Sequence, residues 1–199
     1  MHINERIPAR GRIMEEMHRK VFQLLVDNTS GVLSRISGLF SRRGYNSESI
    51  TAGTTANPQI TRITIVASGD DDILDQIEKQ LRKLIDVRDI HELRPEESVY
   101  RELAMIKVAC TDAQRQGVIA LANIFRAGII DVAPESLMIE VTGGQEKIEA
   151  FFRLLDGYEI LEIARTGVAG LGRGVKNVLD IDENGAVRPM YDKDGKRIH

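Results

Sequence analysis

Asn28, Gly31 and Asn46 form the part of the chain best suited to binding a small polar ligand. Asn28-Thr29-Ser30-Gly31 follows an apolar run and precedes a helical pattern that opens with Val32 and Leu33. A helix start leaves backbone N–H groups free, and these form a ready anion site. Gly31 has no side chain, so a carboxylate can approach the backbone there. Asn28 brings an amide whose oxygen accepts from an ammonium, and Asn46, at the start of a later strand, brings a second amide. A ligand with one carboxylate and one ammonium is an α-amino acid. An ordinary Asn/Ser/Gly helix cap accounts for the same letters, and the residues alone leave both readings open.

Other motifs carry less. Asp180-x-Asp182-x-Asn184-Gly185 is the first half of a calcium loop, but the twelfth position, where a bidentate Glu is needed, is Tyr191. DENG and DKDG fit tight turns between short strands better. Gly170-Leu171-Gly172-Arg173-Gly174 lacks the third glycine of a dinucleotide fingerprint, since Val175 stands there, and it has no Lys-Ser/Thr of a phosphate loop. It reads as a flexible exit from a strand. Asp70–Asp72 suit a helix N-terminus. Asn28-Thr29-Ser30 is a glycosylation sequon by letters only. No nucleophile stands beside a histidine base, so no catalytic site is expected.

The elements that must position the Asn28 turn follow from periodicity. KVFQLLV (20–26) has strand length. Val32, Leu33, Ile36, Leu39 and Phe40 recur at helical spacing up to Gly44. Residues 45–55 and 60–68 read as strands. In the second, Ile63, Ile65 and Ala67 alternate with Arg62, Thr64 and Val66, the pattern of a half-buried strand. Ile73, Ile77, Leu81 and Leu84 mark a helix, and Val87 to Leu93 a last strand. The order is β-α-β-β-α-β, the ferredoxin-like plan. It then repeats: strand 104–109, a helical stripe of Val118, Leu121, Ala122 and Phe125 ending at Gly128, strands near 129–132 and 137–141, a helix with Ile148, Phe151, Phe152 and Leu155, and strand 160–165. GLFSRRGY (38–45) matches NIFRAGII (123–130), and QIEKQLRKL (76–84) matches KIEAFFRLL (147–155). The fold expected is α+β, two ferredoxin-like βαββαβ domains in tandem. The expected boundaries are an N-terminal arm over 1–18, domains over 19–94 and 95–174, and a C-terminal extension over 175–199. Arg94-Pro95-Glu96-Glu97 reads as the hinge.

Composition limits the function classes. The chain has 199 residues, 42 % apolar and 29 % charged, with a formal net charge of −3. That balance gives no strong pull toward nucleic acid or an anionic membrane. RNA-recognition modules share the strand order but stack bases on aromatic residues, and ITRITIVAS (60–68) and SLMIEV (136–141) have none. No run is long enough to span a bilayer, and the first twenty residues have no apolar core of a secretory signal. One cysteine, Cys110, forms no internal disulfide. The expectation is a cytoplasmic protein with no nucleic-acid or membrane partner.

DNTSGVLSRISGLFSRRGYNSESIT (27–51) resembles the opening of the regulatory, or small, subunit of acetolactate synthase. The resemblance continues in TRITI (61–65), QIEKQLRKLIDV (76–87), RELAMIKV (101–108), IFRAGIIDV (124–132) and EIARTGVAGLGRG (162–174). It covers both repeats and implies that the first is an ACT domain, a ferredoxin-like amino-acid sensor. It further implies that the chain makes no product alone, that it activates a catalytic subunit, and that it confers feedback inhibition by valine. Thiamine diphosphate, Mg²⁺ and FAD would belong to the catalytic subunit, with none in this chain. Two ACT domains would pair as a homodimer. Valine would then lie between Asn28, Gly31, Val32 and Leu33 of one protomer and Asn46 and Ser47 of its partner. The family usually has Ile after Tyr-Asn, where Ser47 stands here, and its shorter members lack the two extensions. A free-standing ACT sensor acting on another enzyme or a transcription factor is the alternative, and IFRAGIIDV speaks against it.

Overall fold

A computed structural model describes residues 17–175, 179–182, 184, 186–190, 194 and 196–198. The first repeat runs β1 (His18–Asp27), α1 (Val32–Arg43), β2 (Asn46–Thr54), β3 (Ile60–Gly69), α2 (Asp71–Leu81) and β4 (Val87–Leu93). The second runs β5 (Ser98–Ala109), α3 (Asp112–Ile124), β6 (Gly128–Ala133), β7 (Ser136–Gly143), α4 (Gln145–Leu154) and β8 (Ile160–Arg165). Both sheets are antiparallel, with orders β2-β3-β1-β4 and β6-β7-β5-β8. The repeat read from the letters is therefore a repeat of topology.

Each sheet buries one face under its two helices. Phe22, Leu24, Ile63, Ile65 and Ile90 meet Ile36, Phe40, Leu74, Ile77 and Leu81 in the first core. Ile106, Val108, Ile139 and Val141 meet Val118, Ala122, Ile148 and Phe151 in the second. Local chemistry sets the helix ends. Asp70 caps α2, its carboxylate accepting from Ile73 N at 2.7 Å. Gly44 stops α1 in the left-handed region at φ 67°, with Arg42 and Arg43 in the last turn. The equivalent residue after α3 is Arg126, at φ 50°, so that helix ends before Gly128, which already begins β6.

The two letter matches are each one helical turn out of register. Phe40 O accepts from Tyr45 N as Ala122 O does from Ala127 N, so Phe40 answers to Ala122, not Phe125. The buried triad Leu74, Ile77, Leu81 answers to Ile148, Phe151, Leu155. A slip of one turn restores an apolar stripe, so periodicity alone cannot fix which turn matches which.

β3 is not half-buried. Thr64 and Val66 are as buried as Ile63 and Ile65. Their face is covered by the join between the repeats. The first part of β5 pairs with a short strand, β9 (Ala169–Gly172), and Val21, Val66, Leu93 and Val168 form a third small core with Tyr100. Tyr100 Oη donates to Leu93 O. The glycine-rich exit is thus a paired strand rather than a flexible tail. Arg94–Glu97 is an exposed tight turn between β4 and β5, Glu97 N donating to Arg94 O at 3.1 Å, and Ser98 beside it is buried.

Residues 1–16 of the expected arm lie outside the described residues, and His18 already belongs to β1. In the C-terminal extension, β10 (Leu179–Ile181) and β11 (Val187–Pro189) form a hairpin. Asp182 Oδ1 accepts from Asn184 N and Ala186 N at 2.9 Å each, and Oδ2 meets Arg188 Nη2 at 2.6 Å. That carboxylate serves the DENG turn. Gly185 and Tyr191 of the calcium-loop comparison, and most of DKDG, lie outside the described residues.

Candidate functional site

The Asn28 turn joins the end of β1 to α1. Asn28 N donates to Gln59 O at 2.7 Å, which pins the turn to the start of β3. Its side chain is exposed but held: Nδ2 donates to Pro58 O at 2.9 Å, and Oδ1 accepts from Thr61 Oγ1 at 3.0 Å. One N–H and one lone pair remain for a ligand. Gly31 is the N-cap of α1 at φ 86°, a conformation costly for other L-residues, and no side chain caps the helix. The N–H groups of Val32, Leu33 and Ser34 are therefore left open at the positive end of the helix dipole.

Val32 is buried in the first core, so only its backbone reaches the turn, whereas Leu33 is half exposed. Arg35, which the sequence pattern did not single out, completes the electrostatics. Its guanidinium makes a bidentate pair with Asp86 (Nε–Oδ2 2.6 Å, Nη2–Oδ1 2.7 Å). Nη1 lies 3.2 Å from where a Cβ on Gly31 would stand. A helical side chain leans back over the preceding turn, so an arginine four residues after the capping glycine was the available signal. Asp86 raises the Arg35 pKa further and orients the fork.

Asn46 and Ser47 sit elsewhere. Asn46 Nδ2 donates to Ser68 Oγ at 2.8 Å. Ser47 is exposed at the start of β2, next to a bulge at Glu48, whose carboxylate meets Arg19 Nε at 2.7 Å. Asn46 pairs with Ser68, and Ser68 with Arg19 near the start of β1, whereas Asn28 follows its end. About eight strand positions separate the two groups along β1, roughly 27 Å at 3.3–3.4 Å per residue. The structure thus brings Asn28, Gly31, Val32 and Leu33 together and keeps Asn46 and Ser47 apart from them. No single small ligand touches both groups of one chain.

The second repeat has no counterpart of this turn. Cys110 N donates to Glu135 O as Asn28 N does to Gln59 O, and Thr111 with Gln114 then closes α3 in a capping box. Thr111 N donates to Gln114 Oε1 at 3.1 Å and Gln114 N to Thr111 O at 3.0 Å, so the third helical amide, open in the first repeat, is bonded here. Among the described residues no group of His, Cys, Asp and Glu is placed to hold a metal ion. No described helix is long and apolar enough to cross a membrane.

Two βαββαβ repeats, one with an open glycine-capped turn, define a chain of the ACT type. Residues 22–89 match the family described as an acetolactate synthase (AHAS) small subunit-like ACT domain, and residues 101–174 match the small subunit of acetolactate synthase. A probable acetolactate synthase small subunit of Methanothermobacter thermautotrophicus is 48% identical over 159 residues, 79% of this chain and 95% of that one. The isozyme 3 small subunit of Salmonella typhimurium is 44% identical over 79% of this chain and 98% of its own. The crystal structure of the Thermotoga maritima small subunit superposes with a TM-score of 0.73 at 42% identity, covering 78% of this chain and 98% of the other. The chain belongs to the acetolactate synthase small-subunit family, the regulatory and not the catalytic subunit of that enzyme.

Proposed function

We propose that this chain activates the thiamine-diphosphate-dependent catalytic subunit of acetolactate synthase and makes it sensitive to valine in the cytoplasm. Two chains pair through their first repeats. The open first turn of α1, with Asn28 and Arg35, holds the valine carboxylate and ammonium, and Asn46 and Ser47 of the partner close the site. The observation that carries this reading is the placement of the two groups at opposite ends of one sheet, each exposed, so that a two-fold pairing unites what one chain separates. Thiamine diphosphate, Mg²⁺ and FAD reside on the catalytic subunit and supply its carbon–carbon chemistry; this chain contributes effector binding and a change of state.

Valine must bind the activating and inhibiting states unequally, and by reciprocity a catalytic subunit that favours one of these states changes the affinity for valine. Reconstitution tests this. The isolated chain is expected to convert no pyruvate, to raise acetolactate formation by the catalytic subunit, and to lose part of that gain when valine is added. Turnover by the isolated chain overturns the regulatory reading. Failure to stimulate any acetolactate synthase favours a free-standing sensor.

A further inference from the structure

The cleft between the two repeats contains a basic group that the valine reading does not use. Arg62 lies on the β3 face turned toward the second repeat, half-buried, with no hydrogen bond or ion pair to any described residue. It lines a cavity of about 480 Å³, within the range of small-molecule clefts. Arg101 lines the same cavity from β5, and no aspartate or glutamate does. Opposite Arg62 on β2 stands Gly53, and nothing lies within 4 Å of the place its Cβ would take, so the cavity runs over that glycine. Thr54 and Thr64 add hydroxyls, and Val99 and Leu171 add an apolar wall from the second repeat.

We propose that this cleft binds a small organic monocarboxylate with a short apolar body, its carboxylate on the Arg62 guanidinium and its carbon atoms against Val99 and Leu171. A half-buried cation without a counter-charge is costly, and a ligand that neutralises it recovers that cost. The planar fork of arginine matches a carboxylate in two parallel hydrogen bonds. The apolar wall selects a carboxylate with a hydrocarbon body over inorganic phosphate, whose hydration the wall cannot replace. Burial also holds the Arg62 pKa below its usual value, consistent with an unneutralised site. The cleft shares no residue with the Asn28 turn or with Asn46 and Ser47, so either site can fail without the other.

The experiment is a calorimetric and NMR titration of the full chain with isobutyrate, which lacks an ammonium, and separately with inorganic phosphate. Isobutyrate is expected to bind saturably. Arg62→Gln is expected to weaken it at least tenfold, Arg62→Lys less, because it keeps the charge and loses the fork. Gly53→Val is expected to weaken it by filling the cavity, while Asn28→Ala leaves it unchanged. The thermal midpoint of Arg62→Gln should equal or exceed that of the parent chain, since the change removes an unpaired, half-buried charge. No saturable isobutyrate binding, equal or tighter phosphate binding, indifference to both Arg62 variants, or a marked loss of stability in Arg62→Gln each overturns the inference.

Discussion

Asn28 is fixed before any ligand arrives, because Pro58 O and Thr61 Oγ1 hold the two ends of its amide. Asn28→Ala removes a hydrogen bond to a charged ligand, about 1.5–3 kcal/mol, or roughly tenfold to a hundredfold in valine affinity. Thr61→Val leaves the amide present and held only through its nitrogen by Pro58 O, so it should weaken valine less; calorimetry on both variants orders the effects. A second residue-scale expectation concerns pH. His91 Nε2 lies 2.6 Å from Asp89 Oδ2, although the two are not aligned for a regular hydrogen bond. The Asp89 carboxylate raises the His91 pKa against the opposing effect of burial. Burial works to raise Asp89, yet its interaction with His91 brings it below the usual carboxylate value. A histidine raised on folding stabilises most below its unfolded pKa, about 6.5, and that contribution fades as pH rises through the folded value. The thermal midpoint of the parent chain should therefore fall relative to His91→Gln as pH rises through and above neutrality. Parallel curves would show that the pair contributes nothing. The types of Asn28, Gly31 and Asn46 were legible in the sequence because amide, glycine and helix start are local facts. Arg35 and Asp86 were not, because their pairing joins distant parts of the chain.

At the scale of elements, strand order and helix positions were readable from apolar spacing, since each repeat buries one face per element. The exceptions lie where a second layer arrives. Alternation in 60–68 suggests a wet outer face, but Val168, just before β9, and Tyr100 of β5 close over Val66. Tyr100 and Val168 stand 34 and 102 positions beyond Val66, and no local pattern announces them. Gly170 marks how tight that cover is: a Cβ there would stand 2.6 Å from Leu93 Cδ1 and 3.0 Å from Tyr100 Cδ1. Gly170→Ala is expected to destabilise the join by about 1–3 kcal/mol through overpacking. Thermal unfolding checks this, and an unchanged midpoint would mean the contact relaxes freely. The join also touches β2, where Thr51 Oγ1 donates to Thr166 O at 3.0 Å and Val168 N meets Ser49 Oγ at 3.4 Å. The strand that begins with Asn46 and Ser47 is thereby bonded to the second repeat.

For the whole molecule, duplication was visible in the letters but its register was not, because an apolar stripe reads the same one turn along. The copies have also diverged in use. The open turn of the first stands against a capping box in the second, so on the proposed reading each chain offers one half-site of each kind. Their separation along β1 has a consequence for measurement. If a valine must touch Asn28 of one chain and Asn46 of another, dilution dismantles the site before it dismantles the fold. Apparent affinity for valine should then rise with the concentration of the protein itself, because ligand and partner are linked by mass action. Titrations repeated at several protein concentrations test this, and an affinity independent of concentration down to the monomer would place the whole site within one chain. A cell in which copies of this chain are scarce would, on this geometry, read the same valine level as a lower one.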